Sequence, residues 1–393
     1  MEEKKIKTLI LCLANPSGSP RPKRIIALCK SLGHRVSVGS FETADAKYFD
    51  AHYQFCSPSM KIEARIGRKL LNIIGSVLPT SLDIKVSRWG LKVVKEQLKD
   101  KYFDIIIVED FNLLSFAFSI KKDAKIIFDA REYHPCEFEN SFWFMHFEHP
   151  EIMRICSLYL PKCDVVLTVS HGLAQRYKHE FSINPLLIRS TPDYYDTQVK
   201  AADFSNIRLV HHGVANRDRK LENMIDMFSL LDDRFSLDFY LTGSRSYQNE
   251  LIRRANKNPK VRFLQPVPFD KIIPMLTDYD IGLYLLQPTG FNTEHCLPNK
   301  FFEFIQARLM LAIGPSPDMA DLLRQYECGV IADDFKPQTM ANLLNSLTAE
   351  EIMSKKVAAN IAALDLNFEK ECKKIIDMMS MLSNDVITGS RCA

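Results

Sequence analysis

The sequence predicts an α/β protein built from two doubly wound, Rossmann-like domains that face a cleft. Three observations carry that prediction. Short runs rich in Ile, Val and Leu alternate with amphipathic stretches along the chain, the pattern of βαβ units and parallel sheets. The runs form two series separated by a polar, aperiodic stretch. The chain has 393 residues, 46% hydrophobic and 25% charged, enough for two cores at about 100–200 residues per domain.

The first series, within residues 1–190, opens with Ile6–Leu13, a loop from Asn15 to Pro22 and a helix ending at Gly33-His34. It continues through Arg35–Val38, Phe103–Glu109, Lys125–Asp129, Asp164–Ser170 and Pro185–Arg189. Residues 191–205 lack periodicity and read as an interdomain linker. The second series, within residues 206–365, runs through Ile207–Gly213, Leu237–Gly243, Val261–Val267, Ile281–Leu286, Leu309–Gly314 and Gly329–Ala332. A last helical pattern falls in residues 366–383. In such sheets ligands bind beyond the carboxyl ends of the strands, which directs attention to the loops after Leu13, Asp129, Ser170, Gly213, Gly243, Val267 and Leu286.

Composition excludes several classes. No apolar stretch reaches 18 residues, so no spanning helix is expected, and the short apolar run after Lys7 lacks the cleavage pattern of a secretory leader. The ten Cys are scattered with no CxxC pair, which points to a reducing, cytoplasmic setting with idle thiols and no zinc. Neither a metal nor a cofactor is expected. No GxSxG, P-loop or GxGxxG occurs, leaving acyl transfer, NTPase and dinucleotide readings without support.

The net charge of +3 conceals a division: residues 1–200 sum to +6 and residues 201–393 to −3. Residues 60–101 alone carry +6. Within them, Lys61–Leu78, with Arg65, Arg68 and Lys69, and Trp89–Lys99, with Lys92, Lys95 and Lys99, read as basic amphipathic helices. Such helices fit an anionic membrane surface, at roughly 1 kcal/mol per basic residue near it, or equally two surface helices packed on the sheet with solvated Lys tips. Nucleic acid is a poorer partner, because no aromatic interleaving accompanies the charge.

The segment Pro298-Asn299-Lys300-Phe301-Phe302-Glu303 carries the most chemistry. Pro298 suits a helix start, and Asn299, Lys300 and Glu303 lie within one turn of each other. Backbone N–H groups and an ammonium can hold a phosphate there while the carboxylate takes a ribose diol. A solvated Lys–Glu pair fits the spacing equally well.

Pro-Asn-Lys-Phe-Phe-Glu followed by a strand and a Gly resembles the nucleotide-sugar helix of family-4-like, GT-B glycosyltransferases of bacterial surface polysaccharide synthesis. Further blocks agree in order: Arg21–Lys23 before the helix ending at Gly33; Ile127–Glu132; Asp164–Ser170; His212-Gly213 with Arg219-Lys220; Leu241–Gly243; and Asp280–Leu283. The likeness covers roughly residues 6–350. It implies that Glu303 holds the donor ribose, with Asn299 and Lys300 beside it on the helix start, that the loop at Val267 meets the base, and that Arg219 and Lys220 stand on the diphosphate. Gly213 and Gly243 fall at the strand ends that line the donor site, and the final helix crosses back to the first domain.

Two positions depart from the family pattern. His295 stands where the family has a Glu near the donor sugar, and Arg131, followed by Glu132, replaces a His near the reacting centre. Arg131 cannot act as a base; it can clamp a phosphate or carboxylate, or pair with Asp129 or Glu132. The aromatic run Phe142–His149 reads as an acceptor lid or a buried loop cluster, and His171 as an acceptor contact or an idle residue opening a helix.

The resulting expectation is a retaining, metal-independent glycosyltransferase using a nucleotide-sugar and a glycan or lipid-linked acceptor. Arg21, Arg65, Arg68, Lys69 and His171 would form its acceptor or membrane face. A nucleotide-sugar epimerase of the same fold, or a catalytically silent glycan-assembly partner, are the alternatives.

Overall fold

The computed structural model describes residues 5–13, 15–16, 20–41, 48–56, 89–255 and 258–389, with 383–389 as backbone only. The chain divides into two compact units. Met1–Val169, Leu173–Ile188 and Lys374–Ala393 form the first, and Ser170–Gly172 with Arg189–Lys373 the second. The helix Phe368–Gly389 starts in the second unit and ends in the first.

The first unit is built on a seven-stranded sheet in the order β3-β2-β1-β4-β5-β6-β7. Its strands are β1 (Lys7–Leu11), β2 (Arg35–Ser40), β3 (Ala51–Gln54), β4 (Ile105–Val108), β5 (Lys125–Asp129), β6 (Val165–Thr168) and β7 (Leu186–Leu187). All neighbours pair in parallel. β4 is Ile-Ile-Ile-Val with every residue buried, as a central strand covered on both faces requires. β3 has no counterpart among the expected strands: Ala-His-Tyr-Gln at the sheet edge carries no apolar run.

Two expectations about this unit change. The described part of the second basic segment is the helix Leu91–Leu98, which buries Leu91, Val94 and Leu98 and leaves its lysines outward. Its apolar side is therefore already packed, which favours the surface-helix alternative over membrane insertion. Lys61–Leu78, with Arg65, Arg68 and Lys69, lies outside the described residues. The aromatic run is not a buried loop cluster. Phe144–Glu148 is a π-helical turn leading into the helix His149–Tyr159, with Phe144 buried and Phe142 exposed.

The second unit is built on a six-stranded parallel sheet in the order β10-β9-β8-β11-β12-β13. The strands are β8 (Ile207–Ala215), β9 (Phe235–Gly243), β10 (Val261–Leu264), β11 (Ile281–Tyr284), β12 (Met310–Ile313) and β13 (Gly329–Ile331). In both sheets the chain winds outward from the first strand in one direction and then in the other, so each has a switch point, at β1/β4 and at β8/β11.

The helix Asn299–Gln306 is set deep in the second unit, with Phe301, Phe302, Phe304 and Ile305 in the core. Gly282 on β11 makes this possible, because a Cβ there would stand 2.4 Å from the Phe304 ring. The stretch 191–205 has no regular structure, yet it is anchored. The Tyr195 N–H donates to Gln306 at 2.9 Å, and the buried Arg308 donates to the Tyr195 carbonyl at 2.9 Å. A sequence-level linker is thus part of the second unit's structure.

Candidate functional site

The switch point of the second sheet gathers the residues expected around a nucleotide. β8 ends in His211-His212-Gly213, and both imidazoles are buried. His211 Nδ1 lies 2.9 Å from the Leu283 carbonyl, which can only accept, so Nδ1 carries the proton. Its Nε2 is left to accept from Lys300 Nζ at 3.4 Å. Burial first, then the charge of Lys300, hold the His211 pKa well below the usual imidazole range.

Lys300 occupies the second position of the helix Asn299–Gln306, while Asn299 is exposed at the first. Burial, reinforced by the neighbouring Arg219 charge, lowers the Lys300 pKa to about 8. Gly213 is required by its backbone, and a side chain there would also displace the end of Lys300. Its φ is 129°, and a Cβ would stand 2.6 Å from Lys300 Nζ. One turn further along the helix, Glu303 is 3% exposed and its Oε2 lies 3.3 Å from His212 Nε2, although the two are not aligned as a hydrogen bond. Burial, with Lys300, lowers the His212 pKa to about 3, so a neutral ring faces the carboxylate.

Arg219 and Lys220 follow β8 at the end of the single turn Arg217–Arg219. Asn216 caps this turn by accepting the Asp218 N–H at 3.2 Å. Arg219 lies close enough to influence Lys300 and the Tyr284 hydroxyl. Lys220, with φ 47°, donates to Gln287 at 3.3 Å in the loop after β11. Arg217 turns outward to Glu250. The site therefore brings two cations together, with a buried carboxylate one helical turn from one of them.

The other expected donor-side residues occupy separate places. Gly243 ends β9 with φ 90°, where a Cβ would meet Val214 at 2.9 Å, and Val267 lies half-buried in the loop after β10. His295 Nδ1 donates to the Asp318 carboxylate at 2.8 Å. The other Asp318 oxygen takes the Gly172 N–H at 3.1 Å. No side chain fits at Gly172, whose Cβ would fall 1.9 Å from the His295 ring. His171 is exposed at the start of the helix His171–Phe181. Asp318 was not anticipated, and only its place after a strand-end Gly could have pointed to it.

In the first unit, Arg21 does not form an outward acceptor or membrane face. It grips Asp129 with two hydrogen bonds, at 2.6 and 2.8 Å, and donates to the Ile188 carbonyl at 3.0 Å. Arg21 takes the Asp129 carboxylate, and the suggested Arg131–Asp129 side-chain hydrogen bond does not form; the two are hydrogen-bonded only through the Arg131 main-chain N–H, which donates to the Asp129 carbonyl at 3.2 Å. The Arg131 side chain donates instead to the Glu109 carbonyl at 2.9 Å. Burial would lower its pKa, but Asp129, Glu109, Asp110 and Glu132 outweigh burial and raise it. The charge of Arg131 is thus already offset by acids, which favours the pairing alternative for this residue over the phosphate clamp. Glu132 itself is exposed. Glu109, which sequence reasoning treated only as the end of a strand, is buried here beside Asp129.

Among the described residues no group of three or more His, Cys, Asp or Glu side chains is placed to hold a metal, and no helix is long and apolar enough to cross a membrane.

Two parallel sheets, each with interleaved helices and its own switch point, define the class: the two-domain Rossmann-like fold of the GT-B glycosyltransferases. No protein-family model matches the chain, and no curated protein sequence matches it. Solved structures do. A glycosyltransferase from Rickettsia africae ESF-5 is 14% identical, over 97% of this chain and 99% of that one, with a TM-score of 0.66. Alr3699/HepE of Anabaena, in complex with UDP-glucose, is 13% identical, over 96% and 100%, with a TM-score of 0.67. Sucrose-phosphate synthase from Thermosynechococcus elongatus is 9% identical, over 97% and 100%, with a TM-score of 0.70. At such identities the likeness is one of fold.

Proposed function

We propose that the protein is a glycosyltransferase that moves a sugar from a nucleotide-sugar to a glycan or lipid-linked acceptor, with the donor held by the second domain and the acceptor by the first. The observation that carries this reading is the pairing of Lys300 with Arg219. Burial and the Arg219 charge both disfavour the charged form of Lys300, and Lys300 has a neutral imidazole rather than an acid as its hydrogen-bond partner. A diphosphate between them would relieve that repulsion.

The roles follow from position. Lys300 and Arg219 take the diphosphate, beside the Gly213 backbone, and Glu303 takes the ribose hydroxyls. As the bond between the sugar C1 and the phosphate oxygen breaks, negative charge gathers on the departing diphosphate. Fixed cations there stabilise it, each such contact being worth about 3–4 kcal/mol in the transition state. The acceptor oxygen forms the new bond to C1 as its O–H bond breaks and the proton passes to the departing diphosphate. The same cations let the reaction run without a metal.

The likeness to a protein solved with UDP-glucose supports a nucleoside diphosphate sugar as donor. Retention of anomeric configuration, surface glycan synthesis and a cytoplasmic location with peripheral membrane contact follow from the sequence resemblance and belong to the same proposal. A panel of nucleotide sugars screened by thermal shift tests it. Stabilisation by at least one, followed by transfer to an acceptor glycan, is expected; no stabilisation by any of them removes the donor site and the reading with it.

A further inference from the structure

We propose that the carboxyl ends of β1, β4 and β5 form a sugar-hydroxyl subsite whose floor is the buried carboxyl of Glu109, unpartnered among the described residues, which exchanges hydrogen bonds with the ligand. The proposal rests on the reading of the first domain as the acceptor side and specifies how that side recognises its ligand.

The placement comes from the register. Leu11 pairs with Val108, and Val108 with Phe128. One residue further on, Cys12, Glu109 and Asp129 stand in a row across the β1/β4 switch point, where this class of sheet binds ligands. Glu109 is 2% exposed, and neither carboxyl oxygen has a hydrogen-bond partner among the described residues. An unmet polar group at such depth costs about 1–3 kcal/mol.

The charged neighbours of Glu109 are satisfied. Asp129 is bound by Arg21, Asp110 accepts the Leu13 N–H at 2.6 Å, and Arg131 donates to the main-chain carbonyl of Glu109 itself. Close by, His134 stacks on Phe111 at 5.0 Å with both ring nitrogens lacking hydrogen bonds, its Nδ1 3.6 Å from Glu137. The unmet capacity at this row of strand ends is thus concentrated in Glu109.

The charges select the ligand. Glu109 faces Asp129 and Asp110 as well as Arg131 and Arg21, with the Cys12 and Cys29 thiols also in its field. Burial first, then Asp129, push its pKa up to about 8, so near neutrality it carries a proton. A carboxylic acid offers one donor and acceptor sites, which is the complement of a hydroxyl. An anion would meet Asp110 and Asp129, and an ammonium would require the ionised form.

The test uses the full chain and saturation-transfer NMR with methyl glycosides of glucose, galactose, mannose and N-acetylglucosamine. Glucosamine serves as the cationic comparator, and UDP affinity is followed in parallel. At least one methyl glycoside should bind at pH 6.5 and bind about tenfold more weakly at pH 9, as Glu109 loses its proton. Glu109→Gln should retain binding and lose the pH dependence, while Glu109→Leu should abolish binding with UDP affinity unchanged. The proposal is overturned if none of the glycosides binds, if Glu109→Leu binds like the wild type, or if binding strengthens with pH and glucosamine is preferred. Absence of UDP binding in the wild type would count against the donor site instead, so the two failures are separable.

Discussion

Lys300 Nζ lies 3.4 Å from Nε2 of His211, whose other nitrogen is committed to the Leu283 carbonyl. The lysine is therefore hydrogen-bonded to a neutral ring, and the Glu303 carboxylate offsets only part of the burial and Arg219 charge that lower its pKa. Its charge remains available to an incoming anion.

This arrangement sets a pH dependence. The free Lys300 has a pKa of about 8, and a bound diphosphate would raise it. Because the charged lysine is the binding form, affinity should be full below that pH and fall as pH rises through it. Binding at pH 8 should take up a fraction of a proton. Calorimetry of UDP binding in two buffers of different ionisation enthalpy measures both; a flat profile between pH 7 and 9 would remove Lys300 from the site.

Glu303 is nearly buried, one helical turn from Lys300. Changing it to Gln keeps shape and volume but removes the charge that two ribose hydroxyls would meet. Hydrogen bonds to charged groups contribute about 1.5–3 kcal/mol, so nucleotide affinity should fall roughly tenfold to a hundredfold. The thermal midpoint without ligand should stay close to that of the wild type. Equal affinity in the variant would dissociate Glu303 from the ribose.

Two glycines with positive φ allow backbone strain to be separated from site disruption. Gly213→Ala meets Lys300 at 2.6 Å, whereas Gly33→Ala, at φ 80°, meets nothing within 4 Å. Both should lose stability by about 1–3 kcal/mol from strain. Only Gly213→Ala should weaken nucleotide binding, by more than tenfold as Lys300 is displaced. A binding titration of both variants decides the matter, and equal effects would argue for strain alone.

Glu109 makes stability depend on pH in the less familiar direction. Its carboxyl has an ordinary value of 4.5 and a folded value of about 8. Between those values the folded protein keeps a proton that the unfolded chain has released. The contribution is therefore complete below the lower value and is lost as pH rises through the upper one. Glu109→Gln has no such loss, so its thermal midpoint should gain steadily on that of the wild type from about pH 5 to pH 8. Parallel midpoints across that range would contradict the burial of an uncharged Glu109.

Much of the fold could be read from the sequence because central strands of parallel sheets are buried on both faces and must be apolar throughout. Ile105–Val108 and Met310–Ile313 announce themselves in this way. The edge strand Ala51–Gln54 does not, because an edge needs no continuous apolar run. Lys300 and Glu303 could be singled out because their spacing on one helix is a local property. The link from Lys300 to His211, the row of Glu109 and Asp129, and the seating of His295 on Asp318 depend on which strands become neighbours. No local pattern records that. Arg21 misled for the same reason: a basic residue at a helix start looks solvated until the sheet brings Asp129 beneath it.

The central claim is that Lys300 and Arg219 form a diphosphate site at the second sheet's switch point. Calorimetric titration of the wild type and of Lys300→Met and Arg219→Met with UDP, GDP and ADP tests it most directly. Binding of at least one nucleotide by the wild type, weakened at least tenfold in each variant, is the result this account predicts. No binding by the wild type, or binding unchanged in both variants, would contradict it.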